Sequence, residues 1–177
     1  MRTHAGWTIR WLTLSVVGVF AVLAPGGALA QTKIVSSGVN YGSVVTLKWN
    51  PVDQEHFVGS QELMGIRIDD TGKGPFHNLA THIALIIFVD KDGAKVRGYE
   101  THTDKDGDKV VWEMSAVDDP QHPGMQNGTG KILAATGKFA GMEGTMTFVV
   151  QVMKGFPEGT VRTICKEHMT ITAKGAM

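Results

Sequence analysis

One turn is repeated in this chain. Asp-Lys-Asp-Gly occupies residues 90–93 and again 104–107, and each copy is followed two residues later by Lys-Val. Between strand-like runs, Asp-x-Asp-Gly suits a three-residue hairpin loop, a type I turn closed by a glycine in the left-handed region. Two such loops predict three consecutive antiparallel strands over residues 82–116. With Gly93 and Gly107 in the left-handed positions, Asp90 pairs with Ala94 and Asp104 with Asp108, and the register of all three strands follows. On that register His82 lies opposite His102, and His102 opposite Val110. The next rows of the same face are Ala84, Glu100 and Trp112, then Ile86, Gly98 and Met114, then Phe88, Val96 and Ala116. This predicts an apolar inner face carrying two histidines and a glutamate in adjacent rows. The alternate residues Ile83, Leu85, Ile87 and Val89 then form an apolar stripe on the outside, to be covered by a terminal segment or by another subunit.

The rest of the mature chain reads as strand after strand, with no amphipathic helix longer than two turns. Residues 44–49 alternate, with Val45, Leu47 and Trp49 on one side, and Met64, Ile66 and Ile68 mark a second strand that stops at Asp69-Asp70. Arg67 is out of phase with those three and reads as solvated, with an inward counter-ion to Glu100 as the alternative. Residues 118–127 form a loop with Asn127-Gly128 as its turn, 131–135 a short strand, and 136–141 a tight connection with room for one helical turn. Met146, Phe148, Val150 and Val152 share a face in the next strand. After a loop at 155–159, the last strand carries Val161, Thr163, Cys165, Glu167, Met169 and Ile171 on one face. About eight short strands in a meander predict an all-β, antiparallel fold closing into a barrel, which removes the unpaired edges an open sheet must protect.

Residues 1–30 read as a signal peptide. Arg2 and Arg10 precede an apolar run at 12–24, Pro25-Gly26-Gly27 breaks it, and Ala28-Leu29-Ala30 supplies small residues at the cleavage spacing. This places residues 31–177 as a single β-barrel domain, periplasmic or secreted, with no membrane contact once the leader is removed. Taking Arg2 and Arg10 from 17 basic residues leaves 15 against 17 acidic ones. Nothing in that near-neutral balance suggests a nucleic-acid surface, which would need a basic excess and basic clustering. Cys165, the only cysteine, has no internal disulfide partner and reads as a buried thiol.

The segment Gly-Thr-Gly-Lys-Ile-Leu-Ala-Ala-Thr-Gly-Lys-Phe-Ala-Gly-Met-Glu-Gly-Thr at 128–145, with Gly98-Tyr99 leading into Thr103-Asp-Lys-Asp-Gly-Asp, resembles a group of small exported bacterial β-barrel proteins of unassigned function. Their strand, glycine-rich turn and next strand are similar to those of allene oxide cyclases and plant dirigent proteins. The resemblance covers about the last eighty residues and rests on turn glycines. It implies a calycin-like, allene oxide cyclase-like barrel with a lumen open at one end, and it carries no catalytic residue across.

Glu100 is the leading candidate for chemistry, since a carboxyl desolvated among apolar neighbours can act as a general acid or base. His102 joins it in the catalytic assignment. His82, Trp112, Met114, Gly98, Phe88 and Glu167 are assigned to a ligand, with Gly98 leaving space for it. A packing role for the same residues has Glu100 bonded to an inward His or Arg and the histidines satisfied in a core. His77, beside Phe76 in the loop before residue 82, is a further candidate at the barrel mouth. No metal and no cofactor are expected, because short ligand spacings are missing. Asp104, Asp106 and Asp108 have their glycine at the fourth position and Ser115 where a calcium loop needs its glutamate. The expected function is the binding of a small, largely apolar molecule in the lumen. One alternative is a cyclase, isomerase or lyase using Glu100 or a histidine for proton transfer. Another is an envelope protein that assembles as a homo-oligomer through Ile83, Leu85 and Ile87.

Overall fold

A computed structural model describes residues 31–153 and 161–174. The expected signal peptide at 1–30 and the expected loop at 155–159 lie outside the described residues. Eight strands run in chain order: β1 (Gln31–Pro51), β2 (Phe57–Asp69), β3 (Leu79–Asp90), β4 (Gly93–Thr103), β5 (Lys109–Asp118), β6 (Met125–Ala135), β7 (Glu143–Met153) and β8 (Arg162–Lys174). Each pairs antiparallel with its sequence neighbour, and β1 also pairs with β8, so the sheet closes into a barrel. A short 3₁₀ turn, η1 (Gly137–Phe139), joins β6 to β7 where a single helical turn was expected.

Closure rests on the length of β1. Residues 31–43 pair with β8 and residues 38–51 pair with β2, so one strand, bulged between Val44 and Thr46, bridges both sides of the seam. The sequence reading found only its second half, because residues 31–43 are rich in Ser, Gly and Asn. Strand β6 was also underestimated. Asn127 and Gly128, expected at a turn, lie inside it, where Gly128 pairs with Ala116 on one side and with Phe148 on the other.

The two Asp-Lys-Asp-Gly copies make different loops. In the second, Asp104 N–H donates to Asp108 O, Gly107 has φ +87°, and His102 lies opposite Val110, as the spacing predicts. In the first, Asp90 pairs with Gly93 itself, leaving a two-residue turn at Lys91-Asp92. The reason is local. Ala94 N–H, which a three-residue loop would turn toward Asp90, donates instead to the Asp118 carboxylate at 2.7 Å. Gly93, with φ +110°, takes the paired position. The register of β3 therefore moves by one residue, and every side chain on it changes face.

That shift corrects several expectations. His82 lies opposite Thr101, not His102, and Ile83 lies opposite Glu100. His82 and Phe88 face outward, Phe88 with 46% exposure and His82 beside Glu62 at 3.9 Å. Ile83, Leu85, Ile87 and Val89 line the lumen, so they do not form the expected outer stripe. In β2 the apolar residues Met64, Ile66 and Ile68 face out while Arg67 is fully buried, so the solvated reading of that arginine is wrong as well.

The interior divides along its length. At one end Phe76, Leu79, Val110, Phe139, Met142, Met169 and Ile171 are buried almost completely. Phe76, from the β2–β3 loop, packs on Phe139 of η1 with ring centroids 5.6 Å apart. These residues fill that end and close it, each large side chain contributing roughly 1.5–3 kcal/mol by leaving water. Toward the other end the inward residues enclose a cavity of about 250 Å³. A layer of polar side chains separates the two halves.

Candidate functional site

The polar layer draws on five strands and is built by alternation. Glu100 and His102 are two apart on β4 and both point inward, as do Cys165 and Glu167 on β8. Arg67 comes from β2, Thr81 from β3, and Ser36 and Asn40 from β1. Asn40 fits because Gly65 stands next to it: a Cβ at Gly65 would lie 2.9 Å from Asn40 Oδ1 and 2.3 Å from Tyr41 O.

A directional chain of hydrogen bonds runs through these groups. Thr81 Oγ1 donates to Asn40 Oδ1 at 3.1 Å, and Asn40 Nδ2 donates to Glu100 Oε1 at 2.6 Å. His102 Nε2 lies 3.0 Å from the same oxygen, and Trp112 Nε1 donates to His102 Nδ1 at 3.3 Å. An indole N–H only donates, so Nδ1 must accept and the ring proton sits on Nε2, facing Glu100. His102 is therefore held as the neutral Nε2–H tautomer, and Glu100 Oε1 receives two donors. Glu100 Oε2 receives none among the described residues, and Glu100 belongs to the cavity floor.

A second network lies behind it. Arg67 Nε donates to Glu167 Oε2 at 2.8 Å, Arg67 Nη2 to Ser36 Oγ at 2.9 Å, and Arg67 Nη1 to the Phe76 carbonyl. Ser36 Oγ donates in turn to Asp69 Oδ2 at 2.6 Å. Arg67 thus ties the closing loop to the barrel wall, with each of its three nitrogens hydrogen-bonded and Asp69 Oδ2 3.8 Å from Nη1. Glu167 Oε1 is buried without a partner. Burial, reinforced by the neighbouring Glu100 charge, pushes the Glu167 carboxyl up to about 7 against the opposing pull of the Arg67 guanidinium. Burial and the two glutamates also push the Cys165 thiol well above its ordinary range, which leaves it a neutral, weakly reactive group.

Ligand atoms of Glu100, His102 and Glu167 all lie within 4.8 Å of one another. These three are the residues that could hold a metal ion. To do so His102 would need its Nε2 lone pair free and its Nδ1 protonated, which sets an N–H against the indole N–H of Trp112. Ligating histidines ordinarily give that other proton to an acceptor. The donor set fits a proton between carboxyls better than a metal.

Of the residues expected in the site, the fold brings Glu100, His102, Trp112, Met114 and Glu167 into the barrel interior, whereas a Cβ at Gly98 would lie 2.0 Å from Ala84 O, so that glycine admits the β3 backbone and leaves no space for a ligand. The fold leaves His82 and Phe88 outside. His77 is half-buried with Nδ1 unpartnered, and its neighbour Phe76 belongs to the closed end, away from the mouth. Asn40, Thr81 and Ser36 were missed. Their signal was present in β1, where Gly38, Asn40 and Gly42 recur with period two, small and polar residues on one face of a strand. The cavity above the layer has walls of Leu63, Ile83, Leu85, Ile87, Val96 and Phe148, with Trp49 and Val152 toward the open end. Its floor is Glu100, Asn40, Thr163 and Cys165.

No protein-family model and no curated protein sequence matches the chain. Among solved structures, the barrel is similar to that of the pterocarpan synthase dirigent protein GePTS1, with a TM-score of 0.51 and 11% identity. The match covers 94% of this chain and 99% of that one. At that identity the likeness is one of architecture: this chain folds as an eight-stranded antiparallel barrel like that of a dirigent protein.

Proposed function

We propose that the barrel binds a small, largely apolar molecule in the open half of its lumen, polar end down on Glu100. The observation that carries this reading is the buried carboxyl group of Glu100 lining an otherwise largely apolar cavity of about 250 Å³. An apolar wall with a few convergent polar groups is the usual composition of a small-molecule site, and barrel mouths favour such sites. The volume lies a little under the roughly 300–1,000 Å³ of drug-sized pockets, so the ligand is compact. The test is native mass spectrometry of protein purified from its own host. A co-purified small molecule lost in Glu100→Gln supports the reading. Wild-type protein that is empty and stays unshifted in melting temperature across a library of small apolar compounds contradicts it.

A second reading, proton transfer of the cyclase, isomerase or lyase kind, draws on a different observation. Glu167, held up near 7 beside Glu100, makes a carboxyl pair that can share one proton at neutral pH. The dirigent barrel that this one is similar to is a pterocarpan synthase, which is in keeping with this reading. Solvent deuterium appearing in a recovered ligand, and absent with Glu167→Gln, would support it. We further propose that residues 1–30 export the chain to the periplasm or beyond, which fractionation and N-terminal sequencing starting at Gln31 would bear out.

A further inference from the structure

Most polar side chains around the open half of the lumen already have partners. Asn40 is bonded on both sides, to Thr81 and to Glu100, and Glu100 Oε1 takes both Asn40 and His102. Near the mouth Gln126 Nε2 donates to Asp118 Oδ1 at 2.9 Å, and Ser115 is exposed. Gln61 and Thr163 differ. Both border the cavity, and neither side chain hydrogen-bonds any described residue.

Gln61 breaks the pattern of its row. It lies opposite Leu47 on β1 and Leu85 on β3, both of which line the cavity, and its half-buried side chain points inward with them. It stands one inward step nearer the mouth than Leu63, whose row reaches Glu100 through Ile83. Thr163 approaches the same place from β8: a Cβ at Gly42 would lie 2.7 Å from Thr163 Oγ1 and 3.7 Å from Leu63 Cδ2. A leucine at position 61 would complete the apolar wall, so the amide gives up packing for a donor that bonds nothing in the barrel. Local rules are broken in this way chiefly at functional sites. Among the described residues lining the cavity there is no base, and the one acid, Glu100, is bonded below this level. A charged ligand group here would therefore lack a counter-charge beside it. The amide N–H and the Thr163 hydroxyl suit an uncharged oxygen, which can accept from both.

We propose that Gln61 is the specificity-determining residue of the lumen, selecting uncharged ligands that carry an oxygen acceptor part way along an apolar body. This rests on the ligand-binding reading of the same cavity and adds a polar contact above its floor.

The experiment uses three probes of one skeleton: dibutyl ketone, the amine with CH–NH₃⁺ in place of its carbonyl, and the alkene with =CH₂ in place of =O. Binding is read in ¹⁵N spectra of the full protein at neutral pH. The ketone should bind at least about tenfold tighter than the amine and move the side-chain NH₂ signal of Gln61 but not that of Gln126. Gln61→Leu should weaken the ketone at least about tenfold, leave the alkene as tight or tighter, and raise the melting temperature. An amine that binds as tightly as the ketone, a Gln61 signal unmoved by bound ketone, or ketone affinity unchanged in Gln61→Leu overturns the proposal while the ligand cavity stands. A lower melting temperature for that variant overturns it too, since the amide would then be structural. If neither ketone nor alkene binds, the cavity reading falls and this one with it. The wild-type ranking and the Gln61 signal decide the matter even if the variant fails to fold.

Discussion

The two halves of the barrel interior are built from the same strands and have opposite fates. The closed half is capped by material from outside the sheet, Phe76 from the β2–β3 loop and Phe139 from η1, and is packed solid. The open half has no such plug among the described residues, and its inward side chains, mostly branched aliphatics, stand around a space of about 250 Å³. An eight-stranded barrel has an interior just wide enough either to be filled by side chains or to hold one small ligand. Here one chain does both, and the polar layer of Glu100, His102, Arg67 and Glu167 marks the border. The closed half is where stability is concentrated, and the open half is where function is to be sought.

That contrast can be broken most forcefully by truncation. Phe139→Ala should destabilise the protein by ~3–5 kcal/mol in urea unfolding, the usual cost of removing a buried aromatic ring. Leu85→Ala, at the cavity wall, should cost no more than about 2 kcal/mol because it enlarges an existing space. Equal losses would mean the open half is packed as tightly as the closed one.

The border itself predicts a pH effect. The Glu167 carboxyl stands near 7 in the fold against 4.5 for the free group. A raised carboxyl favours the folded state while protonated, so its contribution is fully present below about 4.5 and is lost as pH rises through about 7. Unfolding free energy should fall by roughly 3 kcal/mol across that window, and Glu167→Gln should flatten the slope. The lowered carboxyls Asp53, Asp69, Asp90, Asp104 and Asp119 work in the opposite direction, below their ordinary value of 3.8, so they do not mask it.

The twin turns show how far the sequence could be read. Strand alternation, barrel closure and the inward faces of β4, β5, β7 and β8 were legible, because apolar periodicity and turn glycines report them directly. Glu100, His102, Trp112 and Glu167 were found that way. The face of β3 was not legible, because both of its faces are apolar at several positions, with Ile86 and Phe88 on one and Ile83, Leu85 and Ile87 on the other. The register then hung on a turn whose length is decided by Asp118, more than twenty residues away. Arg67 was misread for a related reason: the apolar residues of β2 face out, and its counter-ion lies on β8, a hundred residues further on.

Smaller effects sharpen the same boundary. Trp112→Phe keeps the ring packing but removes the indole N–H, at a cost of about 1 kcal/mol. In ¹⁵N spectra it should loosen the His102 tautomer, which is the Nε2–H form in the parent protein. Least of all, His82→Ala should leave stability within about 0.5 kcal/mol and probe binding unchanged. A large loss at His82 would restore the register in which it faces His102.

Hollowness of one half alone is tested most directly by methyl-resolved NMR under xenon pressure, since xenon enters apolar cavities without needing a polar partner. The account predicts shifts at Leu63, Ile83, Leu85, Ile87 and Val96, with Leu79, Val110 and Ile171 unmoved. Shifts spread over both sets, or absent from the first, would contradict it.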